Sequence, residues 1–195
     1  MLLIAHPLIN RFNSTEGKYI FFLHGRFLKE NGLHDDHPQY GKFEYAAMIQ
    51  ALAAADFHIV SEIGPAGTNA IDYAIKIVDQ IDSLLKIGVS SSAIMVTGTS
   101  KGAYIAQYVS TFAKNSQLNF VFIGCYRDSD LKEIPEINLC GNILNIYERS
   151  DSFGVSALKR REHSTMDIPM FKELELNTGR KHGFCTRLIR DGSNH

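Results

Sequence analysis

Ser100, Asp151 and His182 are the residues whose types and order would suit chemistry at a carbonyl carbon, and the setting of Ser100 is the most telling. It stands in Gly98-Thr99-Ser100-Lys101-Gly102, where an apolar run, Ala93-Ile94-Met95-Val96-Thr97, meets a helical pattern opening Ala103-Tyr104-Ile105-Ala106. A chain that passes from strand to helix at one residue has almost no room around its backbone. Glycines two positions either side let the two elements close up and lift the hydroxyl clear of both. The helix that follows points its free N–H groups and the positive end of its dipole at the serine oxygen, which suits negative charge developing during acyl transfer. A hydroxyl is a poor nucleophile until a base takes its proton, and an imidazole base needs a carboxylate to fix its tautomer and stabilise its charged form. Downstream of Ser100, Asp151 and His182 supply those two groups.

The elements that must bring these residues together are written as apolar runs and periodic stretches. Tyr19-Ile20-Phe21-Phe22-Leu23 is a continuous apolar run, the mark of a strand covered on both faces, and it ends in His24-Gly25-Arg26-Phe27. Phe43 to Ala55 has helical spacing, and Phe57 to Ile63 reads as a strand. Thr68 is the expected N-cap of a helix running to about Lys86, with Ile71, Ala74, Ile75, Val78, Ile81 and Leu85 on its inner face and Gly88 ending it. The helix after the turn is expected over Lys101 to Ala113, with Tyr104, Tyr108 and Phe112 in the core. Further strands are expected over Leu118 to Gly124, Gly141 to Tyr147 and Met170 to Leu176, and an edge strand over Leu2 to Ile9. Such alternation predicts an α/β fold with a mostly parallel sheet. Asp151 and His182 each fall just past the carboxyl end of a strand, the edge of an open α/β sheet at which ligands bind.

The bulk properties narrow the field. A chain of 195 residues with 45% hydrophobic content predicts one domain over 1–195. A formal net charge of -1, from 20 basic and 21 acidic residues, argues against a role on nucleic acid or a membrane surface that depends on charge. Cys125, Cys140 and Cys185 lack paired spacing and read as free, packed thiols of a reducing compartment. The N-terminus has no basic leader, and no apolar run reaches the ~20 residues of a spanning helix, so a soluble, cytoplasmic protein is expected. His34-Asp35-Asp36-His37-Pro38 lacks the spacing of a ligand set and reads as a solvated loop, so no metal site is expected, and His58 reads as structural.

On these motifs the sequence resembles the α/β-hydrolase superfamily. The likeness runs from Tyr19 to Phe184 through the strand leading into His24-Gly25, the turn around Ser100, a strand ending in Ser150-Asp151, and Lys181-His182-Gly183-Phe184. It implies a three-layer α/β/α sandwich, with Ser100 as nucleophile, His182 as general base and then acid, and Asp151 as its orienter. It also implies an oxyanion hole from the N–H of Lys101 and that of Arg26, with Phe27 the alternative. The implied activity is hydrolysis of a carboxylic ester or thioester of a small, soluble substrate without a cofactor. Acyl transfer on the same residues and a non-catalytic binding protein of the same fold stay open. So does the acid, because Glu148 shares the strand end of Asp151 while Asp128 and Asp130 follow the preceding strand. About sixteen residues separate the strands ending at Gly124 and starting at Gly141, too few for an inserted lid. Thirteen residues follow His182, so the expectation is a short or missing terminal helix and an exposed face that offers a homodimer contact.

Overall fold

A computed structural model describes residues 17–25, 36–37, 40–55, 57–62, 67 and 69–186. The apolar run at its start becomes β1 (Lys18–Leu23), in which Tyr19 through Leu23 are all buried. A two-stranded antiparallel hairpin, β2 (Asp36–His37) and β3 (Gly41–Lys42), leads into α1 (Tyr45–Ala54) and β4 (Phe57–Val60). Then come α2 (Ala70–Lys86), β5 (Ile94–Thr99), α3 (Lys101–Ala113) and β6 (Asn119–Ile123). The single-turn α4 (Asp130–Glu133), β7 (Asn142–Glu148), α5 (Leu158–His163) and β8 (Phe171–Leu176) complete the sequence, and a 3-10 segment, Lys181–Thr186, follows β8.

Among the described residues six strands form one sheet in the order β4-β1-β5-β6-β7-β8, and every pairing in it is parallel. The chain first steps outward from β1 to β4 and then returns across β1 to β5, so the winding direction reverses between β1 and β5. In sheets of this kind the connections diverge at that point and leave a crevice at the carboxyl ends. Gly25 and Ser100 lie there, one past the end of each strand pair partner. The two faces are filled separately. Phe21, Val96, Phe120, Phe122 and Ile143 pack with α2 and α3, whereas Ile20 and Phe22 pack with Phe43, Met48 and Leu52 around α1.

Helix α2 shows where pattern reading stops. Its N-cap is Asn69, whose Oδ1 accepts from the N–H groups of Ile71 (2.8 Å) and Asp72 (3.4 Å), and Thr68 lies outside the described residues. Its buried face is Ala74, Ile77, Ile81 and Leu84, while Ile71 (38% exposed) and Ile75 (48% exposed) stand in solvent. The apolar stripe of α2 is wider than the surface it covers, so the neighbouring helix α3, and not the periodicity, decides which edge is buried. The expected edge strand over Leu2 to Ile9 also lies outside the described residues, as do His34, Asp35 and Pro38 of the polar loop. The expected strand Phe57 to Ile63 ends at Val60. His58 stacks on Tyr19, with ring centroids 4.9 Å apart. Among the described residues there is no helix long and apolar enough to cross a membrane, and no group of metal-ligating side chains.

Among the described glycines, those of the turn between β5 and α3 have the least room for a side chain. A Cβ on Gly98 would stand 2.4 Å from the backbone of Gly102, and one on Gly102 would stand 1.9 Å from the carbonyl oxygen of Leu23. Neither space can hold a methyl group, so α3 rests backbone to backbone on β1 and β5. By helix propensity alone Gly102→Ala would gain about 1 kcal/mol. The contact reverses that sign, and a loss of about 3 kcal/mol is expected. Urea unfolding of the variant measures it, and an unchanged or raised midpoint would contradict the packing described.

Candidate functional site

Ser100 carries φ 51° and ψ −119°, a conformation that residues other than glycine seldom adopt. It occupies the N-cap position of α3, yet its hydroxyl caps nothing in the helix. Instead the backbone N–H of Ser100 donates to the carbonyl of Ile123 (2.8 Å), which ties the turn to β6 and leaves Oγ projecting from the sheet. The hydroxyl donates to Nε2 of His182 at 2.9 Å, and Nδ1 of the same ring donates to Oδ2 of Asp151 at 2.7 Å. That pattern puts the ring proton on Nδ1 and a lone pair on Nε2, facing the serine. The second oxygen of Asp151 accepts from the N–H of Phe153 at 2.9 Å, so both lone-pair faces of this buried carboxylate are used. A hydroxyl, an imidazole and a carboxylate joined in this order can pass a proton from oxygen to nitrogen while the carboxylate stabilises the cation produced.

The other acids sit elsewhere. Asp128 is exposed and paired with Lys159 at 2.5 Å. Asp130 is buried, accepts from the Tyr104 hydroxyl at 2.7 Å and pairs with Arg127 at 3.0 Å. Tyr104 thus spends its hydroxyl on Asp130, and the burial and that bond push its pKa up. Glu148, at the end of β7, has a different task. Its Oε2 accepts from the N–H and the hydroxyl of Thr178, both at 2.8 Å, and its Oε1 from the hydroxyl of Ser150 (3.0 Å) and the N–H groups of Ser150 and Gly179 (both 3.3 Å). The Ser150 hydroxyl in turn accepts from the N–H of Lys181 at 3.1 Å. One carboxylate therefore fastens the loop that carries Asp151 to the loop that carries His182. Burial alone would push its pKa up, but the donors of Thr178 and Ser150 outweigh it and hold the carboxyl at about 2.

Two aromatic rings flank the imidazole. Phe153 lies with its ring centroid 5.4 Å from that of His182, and Tyr40 lies 6.1 Å away on a ring that also packs against Gly183. Neither stands out in the sequence, although a phenylalanine two residues past Asp151 in an otherwise polar Ser-Asp-Ser-Phe-Gly stretch is a signal of a kind. The cysteines are buried and free, and burial pushes the thiols of Cys125 and Cys185 up, away from the thiolate form a nucleophile needs. An apolar cavity of about 200 Å³ lies under the same strand ends, walled by Phe22, Met48, Leu52, Ile123, Ile146 and Phe184. Thr99, next to Ser100, also lines it, and its buried Oγ1 has no hydrogen-bond partner among the described residues.

Helix α3 begins at Lys101, whose N–H, like those of any first helical turn, has no acceptor within the helix. On the other side of the crevice the described chain ends at Gly25, where a Cβ would stand 3.5 Å from that of Ser100. Arg26 and Phe27 lie outside the described residues. Residues 124–141 connect β6 to β7 with no more regular structure than α4, so no lid domain is inserted there.

The sheet order, the reversal between β1 and β5 and the serine on a strand-to-helix turn define the α/β-hydrolase fold. No protein-family model matches the sequence, and no curated protein does. Solved structures similar to this chain include RedJ with a polyethylene glycol molecule in its active site (11% identity, TM-score 0.55, covering 90% of this chain and 86% of that one). A sugar hydrolase, YeeB, from Lactococcus lactis is also similar (15% identity, TM-score 0.52, 89% and 80% covered), as is an arylesterase (12%, 0.52, 89% and 78%). At such identities the likeness is one of fold.

Two outcomes follow for this site. Replacing Glu148 by glutamine turns one acceptor oxygen into a donor among donors, and a loss of about 2 kcal/mol at pH 7 is expected. The folded-state pKa of Glu148 lies below its unfolded value, so its contribution is complete above about pH 5 and fades as pH falls toward 2. The stability difference between wild type and Glu148→Gln, measured by denaturant titration, should narrow over that window, and a constant gap would contradict the assignment. For Ser100, relief of the positive φ should make Ser100→Gly more stable than Ser100→Ala by about 1 kcal/mol, the reverse of the usual order of these residues. Thermal unfolding of the pair tests it.

Proposed function

We propose that this protein is a serine hydrolase that cleaves the ester or thioester of a small substrate through an acyl-enzyme on Ser100. The observation that carries the reading is the continuous pair of hydrogen bonds from Ser100 Oγ to His182 (2.9 Å) and from His182 to Asp151 (2.7 Å). In this reading His182 takes the serine proton as Oγ adds to the substrate carbonyl carbon, and Asp151 stabilises the imidazolium that forms. The negative charge moves to the carbonyl oxygen, which accepts from the N–H of Lys101 and from a second N–H in the loop after Gly25, with Arg26 the first choice and Phe27 the alternative. Collapse of this intermediate breaks the bond to the alcohol or thiol, which leaves with the proton from Nε2. Water then enters, gives a proton to His182 and attacks the acyl carbon, and as the bond to Oγ breaks His182 returns that proton to Ser100, which leaves the acid and the free enzyme.

The alternative of a non-catalytic binding protein needs His182 beyond hydrogen-bond reach of Ser100, and the 2.9 Å separation counts against it. Transfer of the acyl group to an alcohol or thiol would use the same intermediate, and a competing acceptor in the assay separates it from hydrolysis. The cavity of about 200 Å³ supports a short, apolar acyl group, since a dry cavity of about 150 Å³ holds a benzene ring.

A fluorophosphonate probe is expected to label wild type at Ser100 and to leave Ser100→Ala unlabelled. A p-nitrophenyl ester should give a burst of one equivalent followed by slower turnover, and Ser100→Ala should lose both. Asp151→Asn should lower kcat by about 10³- to 10⁴-fold, because the amide favours the wrong imidazole tautomer. Full turnover by Ser100→Ala would end the proposal.

A further inference from the structure

Among the described residues the aromatic ring that Phe153 meets is the imidazole of His182. The loop uses the N–H of Phe153 to hold Asp151, and any residue but proline offers that N–H. Phe153 is 54% exposed, unlike the phenylalanines of the core, and its ring meets the imidazole of His182 edge on at 61°. Tyr40 meets the same imidazole at 63°. The chemistry says which part of a substrate passes these rings. If His182 serves as the acid of the proposed serine-hydrolase cycle, it must hand its proton to the leaving oxygen or sulfur, which brings that atom within about 3 Å of Nε2. The Nδ1 edge is occupied by Asp151, so the leaving atom approaches the Nε2 edge of an imidazole that Phe153 and Tyr40 flank.

We infer that Phe153, together with Tyr40, is the specificity-determining surface for the leaving group, and that it favours esters of planar aromatic alcohols or thiols over aliphatic ones. Aromatic rings at these separations gain from edge-to-face and offset contacts as well as from the area they bury. A half-exposed residue whose ring centroid lies 5.4 Å from that of the imidazole has that contact still to make. The inference rests on the serine-hydrolase reading and adds the class of leaving group to it. Were Phe153 a shield that keeps water from the Asp151–His182 pair, its removal would slow every ester by the same factor.

The test compares phenyl acetate with a fluorinated alkyl acetate of similar leaving-group acidity, on wild type, Phe153→Ala and Phe153→Trp. The expected result is a kcat/KM for phenyl acetate that falls about fivefold to tenfold more than that for the alkyl ester in Phe153→Ala, with the aryl preference kept in Phe153→Trp. Equal losses on the two esters, or no loss on either, would overturn the inference while leaving the hydrolase reading intact. A wild-type protein that turns over neither ester and takes no fluorophosphonate label removes that reading, and this inference with it.

Discussion

The contact on which the rest depends is that of Gly102 with the carbonyl of Leu23, where helix α3 and strand β1 approach closer than any side chain would permit. It sets the height of α3 on the sheet, and with it the sharpness of the turn at Ser100. A helix held further off would let the chain leave β5 through a longer loop, in which residue 100 could relax to negative φ and drop its hydroxyl onto the helix as an ordinary N-cap. Here the cap is forgone and the hydroxyl is offered to His182. The backbone conformation, the missing cap and the outward oxygen are thus one effect seen three ways.

The opposite side of the site is held by charge. Loops after β7 and β8 bring Asp151 and His182 from 31 residues apart, and loops are costly to order. Glu148 offsets that cost with hydrogen bonds to Ser150, Thr178 and Gly179 from a carboxylate that is 1% exposed. A buried charge is tolerable when donors satisfy it, and all of these are neutral N–H and O–H groups. Such an arrangement has a geometric advantage over an ion pair. Backbone N–H groups cannot swing away as a lysine can, so the carboxylate fixes main chain, and the main chain aims the imidazole. The site is therefore built between two rigid bodies, a packed turn on one side and a bonded loop pair on the other.

Strand β1 was legible because a strand covered on both faces demands an unbroken apolar run, as in Tyr19 to Leu23. The turn at Ser100 was legible because sterics leave glycine as the one choice at 98 and 102. Asp151 was less so. Three other acids follow strand ends within a short span, and only side-chain direction separates the one that reaches the imidazole from Asp130, which Tyr104 and Arg127 hold, and from Glu148. Direction is a property of the folded loop and is not written in residue type. The stripe of α2 failed to predict its buried edge for a similar reason, since Ile71 and Ile75 are as apolar as Ile77 and only the neighbouring helix distinguishes them. Phe153 and Tyr40 were missed because flanking a ring across space leaves no spacing to read.

Outside helix ends, the strained backbone of the described residues gathers at one end of the sheet. Among the described residues three that are not glycine have positive φ: Ser100, Lys114 and Lys181. Lys114 needs no special account, for it closes α3 in the left-handed conformation that ends many helices. Ser100 and Lys181 end no helix, and both lie beside the imidazole, one bonded to it and the other next to it in the chain. The hydroxyl of Thr99, unpartnered among the described residues, and the half-exposed Phe153 belong to the same neighbourhood. At the amino ends of the strands such conflicts are few: Leu118 and Ile94 are buried, and Asn119 places its amide on the carbonyls of Ser92 and Ile94. Backbone strain costs stability wherever it occurs, so the two positive-φ residues beside the imidazole mark a place where local preference yields to the geometry around Ser100 and His182.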